Sequence, residues 1–218
     1  MKKLVLILLL FSLPFAFIYP QKNNKADEIL NKFSNKIKKH KSLKAKFNLT
    51  QIGMSGKVEN SYTGEILLKG DKFKMTFPGN EICSDGKTIW QYMKELQEVT
   101  ITNKEKDDES ILTNPKRIFI IYKNEFKIHL NQEYKDKDKV YSEIDLFPKK
   151  LDKSNFSRIR LKIDKNNLEL ASVQYFSKDA TKMIIDITEF KSDIQINDNE
   201  FVFDSSKHKD VEINDLRK

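Results

Sequence analysis

"SDGKTIWQYMKELQEVTI", residues 84–101, decides how the chain is read. Ser84-Asp85-Gly86 is turn chemistry, and Thr88 to Met93 has the composition of a strand. Side chains alternate along a strand, so Trp90 and Tyr92 point one way while Ile89 and Met93 point the other with Gln91. Neither face is simply polar. A strand that is apolar on both sides belongs to a sheet with something to cover on each side.

Working outward, the same period recurs over most of the chain. Leu43, Ala45, Phe47 and Leu49 alternate with Lys44, Lys46, Asn48 and Thr50. Tyr62, Ile66 and Leu68 belong to a second strand, and Phe73, Met75 and Phe77 to a third. Phe126–Leu130, Val140–Leu146 and Ile159–Ile163 follow, the last with Arg158, Arg160 and Lys162 on its other face. Val173–Phe176, Met183–Ile187 and Phe201–Phe203 complete the series, separated by turns such as "DKNN" and "SKDA". Before them, Ala26 to Lys41 places Ile29, Leu30, Phe33 and Ile37 on one stripe at three- and four-residue steps, an amphipathic helix. The chain is therefore mainly β, with a few helices and a meandering antiparallel sheet.

One stretch interrupts the meander. In "ILTNPKRIFIIY", residues 111–122, Asn114 suits an N-cap and Pro115 the first helical position, so Pro115 to Tyr122 reads as a short helix. The β-rich run Ile118 to Tyr122 keeps a strand as the competing reading. A large antiparallel sheet twists and curls. Its concave face would carry Phe47, Leu49, Ile66, Leu68, Phe73 and Met75, too many large side chains to leave wet. Two short helices hide a few hundred Å² each at best, at about 25 cal/mol per Å². A sheet with a removable lid over an apolar hollow suits lipid binding.

The ends and the composition narrow the class. Lys2 and Lys3 precede the apolar run Leu4 to Phe11, the shape of a signal peptide over residues 1–20. Pro14 and Pro20 interrupt the run short of the ~20 apolar residues of a membrane span. The remaining residues, 21–218, make one domain. Cys83 is the sole cysteine, so no internal disulfide forms and no cysteine after the apolar run carries a lipid anchor; a soluble, exported protein is expected. Net charge is +8, from 40 basic and 32 acidic residues, but the signs are interspersed, as on a solvated surface rather than a nucleic-acid site. The basic excess "NKIKKHKSLKAK", residues 35–46, fits a solvent-facing helix side or a contact with an acidic surface.

Catalytic patterns are missing. His40, His129 and His208 are far apart in sequence, no Gly-x-Ser-x-Gly elbow occurs, and six glycines form no phosphate-cradling loop. A binding protein is expected, without cofactor or metal.

The helix, then "SLKAKFNLTQ" (42–51), "GEILLKGDKFKMTF" (64–77), "ICSDGKTIWQYMKELQEVTI" (82–101), "IDLFPKK" (144–150) and "NEFVFD" (199–204) resemble, in this order, the periplasmic lipoprotein carrier family LolA. The resemblance implies an unclosed half-barrel whose apolar concave face is covered by the N-terminal helix and a short helical lid. It implies a monomer in the periplasm that takes the acyl chains of lipoproteins from an inner-membrane ABC transporter toward an outer-membrane acceptor. Phe73 falls at a family position on the concave strand, Trp90 and Tyr92 are placed inward, and Ile118, Phe119, Ile121 and Tyr122 form the lid. The family has Arg-Pro after the "GEILLK" strand, and that Arg bonds the lid shut. Here Lys69 is followed by Gly70 and Asp71, which leaves Lys69 as the substitute lid contact. A domain of this shape that senses lipid rather than delivering it is the alternative.

Overall fold

The computed structural model describes residues 21–105, 113–119 and 123–217. The expected signal peptide and the lid positions Ile121 and Tyr122 lie outside them, as does the side chain of Ile118. Helix α1, Gln21–Lys39, begins earlier than its apolar stripe. It buries Ala26, Ile29, Leu30, Phe33 and Ile37, while Lys36, Lys38 and Lys39 stand in the last turn, where cations suit the helix dipole. Asp193 fixes the C-terminal end: its carboxylate accepts from the Lys41 N–H at 2.8 Å and meets His40 Nδ1 at 2.7 Å. Near the other end, Glu133 binds Lys25, Lys165 and Ser142.

The sheet contains eleven antiparallel strands: β1 (Ser42–Ile52), β2 (Val58–Lys69), β3 (Lys72–Phe77), β4 (Asn80–Ser84), β5 (Thr88–Met93), β6 (Glu98–Asn103), β7 (Phe126–Asp136), β8 (Lys139–Pro148), β9 (Phe156–Asp164), β10 (Glu169–Ser177) and β11 (Lys182–Ser192). A twelfth, β12 (Glu212–Asp215), pairs parallel with β6. The spatial order is β12-β6-β5-β4-β3-β2-β1-β11-β10-β9-β8-β7. The simple meander is thus two meanders, β1–β6 and β7–β11, joined where β1 pairs with β11. The end strands β12 and β7 do not pair with each other, so the curled sheet stays unclosed.

The register carries one face through the whole sheet. Leu68 and Ile66 oppose Leu43 and Ala45 on one side and Phe73 and Met75 on the other; Phe73 and Met75 oppose Ser84 and Ile82, which meet Ile89 and Gln91. In the other direction Leu49 faces Ile185, then Val173, Leu161, Ile144 and Leu130 in turn. Ile89 near one edge and Leu130 at the other share one apolar cluster with the stripe of α1. Only a sheet curled around the helix brings them together. The outer face of β8–β10 is charged and paired across strands: Arg160 holds Asp145 in a two-pronged bond at 2.7 and 2.9 Å, and Arg158 stacks on Phe176 at 3.9 Å.

Two expected elements differ. Phe201–Phe203 is not a strand; Asp198–Phe201 and Ser205–Lys207 are 3₁₀ turns. Asn197 and Asp204 cap them by accepting from the N–H groups of Asn199 and Ser206, and this local bonding overrides the alternation of the two phenylalanines. Of the helix expected over Pro115–Tyr122, the described residues form a 3₁₀ turn, Pro115–Ile118, and the Asn114 side chain makes no capping bond.

Gly64 in β2 is where close packing tolerates no side chain. A Cβ there would lie 2.4 Å from Cζ of the Phe47 ring and 2.9 Å from the Thr76 carbonyl. Gly64→Ala is expected to lower stability by about 1–3 kcal/mol, read by chemical denaturation; an unchanged midpoint would show that Phe47 moves aside freely.

Candidate functional site: a covered apolar hollow

Phe47, Leu49, Ile66, Leu68, Phe73 and Met75 all fall on the concave face, as their alternation suggests, and all but Leu49 are buried. The hollow has two unlike ends. At the end where β1 begins and β11 finishes, α1 covers the β7–β11 half of the sheet, reaching β7 through Lys25 and the β9–β10 turn through Lys36. At the opposite end, Leu49, Phe77, Ile128, Phe156 and Met183 sit at strand ends and are only half-buried. This is an apolar rim open to water. Tyr175 beside it lies on the same face, and burial pushes its hydroxyl pKa well up.

Between helix and rim the segment 113–119 crosses the hollow. Pro115 is buried, and Phe119 reaches 1% exposure with its ring centroid 6.1 Å from that of Phe190. Phe119 therefore fills space on the concave face that a ligand would take. Arg117 bonds Glu125 at 2.6 Å, tying this segment to the turn Lys123–Glu125 that leads into β7.

Lid fastening departs from both the family pattern and the expected substitute. Lys69 does not reach the lid: its ammonium donates to the Ile196 carbonyl at 2.9 Å and to Asp198 at 2.8 Å, on the outer face. With Lys72 it draws the Asp198 carboxyl down to about 2 through hydrogen bonding. The reason is register, since Leu68 faces inward and its neighbour must face out. The carboxylate of Asp71 meets the lid instead. Lys116 of the 3₁₀ turn donates to Asp71 Oδ1 at 3.2 Å, and Lys104 donates to the Asp71 carbonyl at 3.0 Å. The sign of the latch is reversed, with the cation on the lid and the anion on the β2–β3 turn. A cleft of about 290 Å³ opens here, walled by Leu68, Phe73, Lys104, Pro115 and Lys116. Ligand pockets run roughly 300–1,000 Å³, so with segment 113–119 in place this cleft is at the small end of that range. Gly70 has φ +61, so an arginine placed there would be strained by about 1–2 kcal/mol.

Trp90 and Tyr92 are not in the hollow. Trp90 opposes Cys83 and Ile101, and Tyr92 opposes Glu81 and Val99, all on the outer face; Ile89 and Gln91 point inward. The chain after β11 crosses that outer face and covers it. Ile196 and Phe201 are buried there together with Cys83, Val99 and Ile101, and burial pushes the Cys83 thiol up to about 12. Tyr92 packs on Phe203 at 5.3 Å and on His208 at 4.2 Å between ring centroids. Strand β5 is apolar on both sides because each side has its own cover: the hollow within, the C-terminal strap outside. No sequence signal marked which face was which.

The latch is exposed on its carboxylate side, where ion pairs contribute about 0–1 kcal/mol. Asp71→Asn is expected to speed hydrogen exchange of the amides in 113–119 by up to about fivefold while leaving Ile159–Ile163 unchanged. Unchanged exchange in 113–119 would show that apolar contact alone holds the lid.

Comparison with known proteins agrees with this architecture. No curated protein sequence matches the chain. Among solved structures, an uncharacterized conserved protein from Thermus thermophilus superposes with a TM-score of 0.58 at 13% identity, covering 89% of this chain and 99% of that one. A DUF1329 family protein from Desulfovibrio piger gives 0.48 at 13%, covering 86% and 99%. A LolA superfamily protein from Nitrosomonas europaea gives 0.43 at 13%, covering 82% and 97%. The first of these shows the fold. The model of the outer membrane lipoprotein carrier protein LolA matches residues 38–204, from the end of α1 through the 3₁₀ turn of the strap, and the chain belongs to that family.

Proposed function

We propose that the protein is a periplasmic carrier that takes the acyl chains of lipoproteins into the concave hollow and shuttles them from the inner toward the outer membrane. The observation that carries this reading is the single apolar face, covered by α1 on its β7–β11 half and ending at the opposite strand ends in a half-buried rim. A half-buried apolar margin leaves the inner face reachable from outside. Phe47, Leu49, Ile66, Leu68, Phe73 and Met75 would contact the chains, and the lid residue Phe119 would leave as they enter. No bond is made or broken in such a step. Once the chains have left the bilayer, the hollow keeps each methylene out of water, worth about 0.8 kcal/mol, and their entry displaces Phe119 from its place against Phe190.

Among the described residues no helix is long and apolar enough to cross a membrane, which suits a shuttle that leaves the bilayer with its cargo. A family-type inner-membrane ABC transporter would load it and an outer-membrane acceptor would unload it. Incubation with membranes carrying mature lipoproteins and their releasing transporter is expected to yield a soluble one-to-one complex. Failure to extract any lipoprotein would overturn the carrier reading.

Position decides which substitution separates binding from folding. A carboxylate at Phe73, 2% exposed, would be desolvated even without cargo and would unfold the site. Leu49 sits half-buried at the rim, so in Leu49→Glu the charge stays hydrated until a chain arrives. Leu49→Glu is expected to weaken acyl binding by about tenfold or more with a shift of a few degrees or less in Tm. Parallel losses of binding and Tm would make Leu49 ordinary core.

A further inference from the structure

The β1–β2 hairpin outgrows its neighbours. β3 ends at Phe77, because Pro78 lacks an N–H and Gly79 turns the chain at φ +77. Pairing of β2 with β3 therefore starts only at Glu65. From Val58 to Thr63, β2 pairs with β1 alone, and among the described residues no strand lies along its other edge. The far end of this edge is blunted. A register shift between Gln51 and Ile52 leaves Glu59 unpaired, and its side chain lies over Gly53, where a Cβ would come within 2.0 Å of its carboxylate. Bulges and charges of this kind protect free edges. Asn60, Ser61, Tyr62 and Thr63 have neither device: four residues without charge, proline or bulge.

This window adjoins the rim of the hollow. Tyr62 opposes Leu49 on the concave face and is 39% exposed, while Met54 and Val58 further along the hairpin are 74% and 61% exposed. Acyl anchors sit at the N-terminus of a lipoprotein, so a hollow that takes the anchors must let an extended polypeptide leave at its mouth. We propose that Asn60–Thr63 is a strand-addition site that receives the first residues of the cargo polypeptide as they emerge from the hollow. This rests on the carrier reading. Strand addition reads main chain rather than side chains, which lets one carrier hold cargoes of unrelated sequence. The uncharged window asks only for an extended peptide without proline in its first residues.

Three probes test it: palmitate, a synthetic octapeptide bearing an S-diacylglyceryl group on its N-terminal cysteine, and the same lipopeptide N-methylated at alternate backbone nitrogens. The lipopeptide is expected to slow hydrogen exchange at Asn60–Thr63 at least about tenfold, palmitate to leave those amides unchanged, and N-methylation to weaken binding about tenfold or more. If both lipopeptides displace palmitate equally and Asn60–Thr63 stays unprotected, strand addition is overturned and the hollow stands. If neither palmitate nor lipopeptide binds, the carrier reading falls and takes this proposal with it. Protection that rises with protein concentration without ligand assigns the edge to a second copy of the chain, and protection by phosphatidylglycerol vesicles alone assigns it to a membrane surface. Either result overturns the proposal.

Discussion

A curled sheet with a continuous apolar inner face must be covered, and this chain has little to cover it with. Among the described residues, one helix and one crossing segment lie over the concave face of the sheet. α1 is committed, tied at one end through Glu133 and at the other through Asp193. The crossing segment is held by Phe119 against Phe190 and by exposed contacts to Asp71. The two covers are unequal: α1 is tied at both ends, whereas the crossing segment is held by the Phe119 ring, the Arg117–Glu125 bond and the exposed Lys116–Asp71 pair.

The same constraint explains the outer face. β4 and β5 carry apolar residues on both sides and β6 turns Val99 and Ile101 outward, so this part of the sheet needs two covers. The C-terminal strap provides the second, anchored by Lys69 and Lys72 on Asp198 and by the buried ring of Phe201. Because the strap takes Lys69, the lid is left to Asp71 and Lys116. The reversed latch is thus coupled to the strap by the strict alternation of β2, in which Leu68 inside requires Lys69 outside.

Much of this was legible in the residues. The alternation of Leu43–Leu49, Phe73–Phe77 and Ile159–Ile163, and the stripe of α1, specify strands and helix with their buried faces, because one-sided burial leaves a period. The two-sided strand β5 has no such asymmetry, so alternation separates Trp90 and Tyr92 from Ile89 without saying which pair faces in. That depends on the turn lengths that set Ile82 against Gln91. β12 was invisible for a related reason: Glu-Ile-Asn-Asp is fully exposed and held to β6 by backbone bonds that leave no side-chain pattern. The Phe201–Phe203 alternation misled because capping by Asn197 and Asp204 decides that segment locally.

The proposed carrier function depends on the exchange of Phe119 for an acyl chain. The most direct measurement is ¹⁹F NMR of protein with 4-fluorophenylalanine at position 119, titrated with palmitate, with fluorescence of Trp90, the only tryptophan, as the outer-face control. The fluorine signal should move from its buried shift toward that of the solvent-exposed residue as palmitate saturates, while Trp90 emission stays constant. A fluorine signal unmoved at saturation, or a response confined to Trp90, would contradict the account by placing the ligand elsewhere than in the hollow.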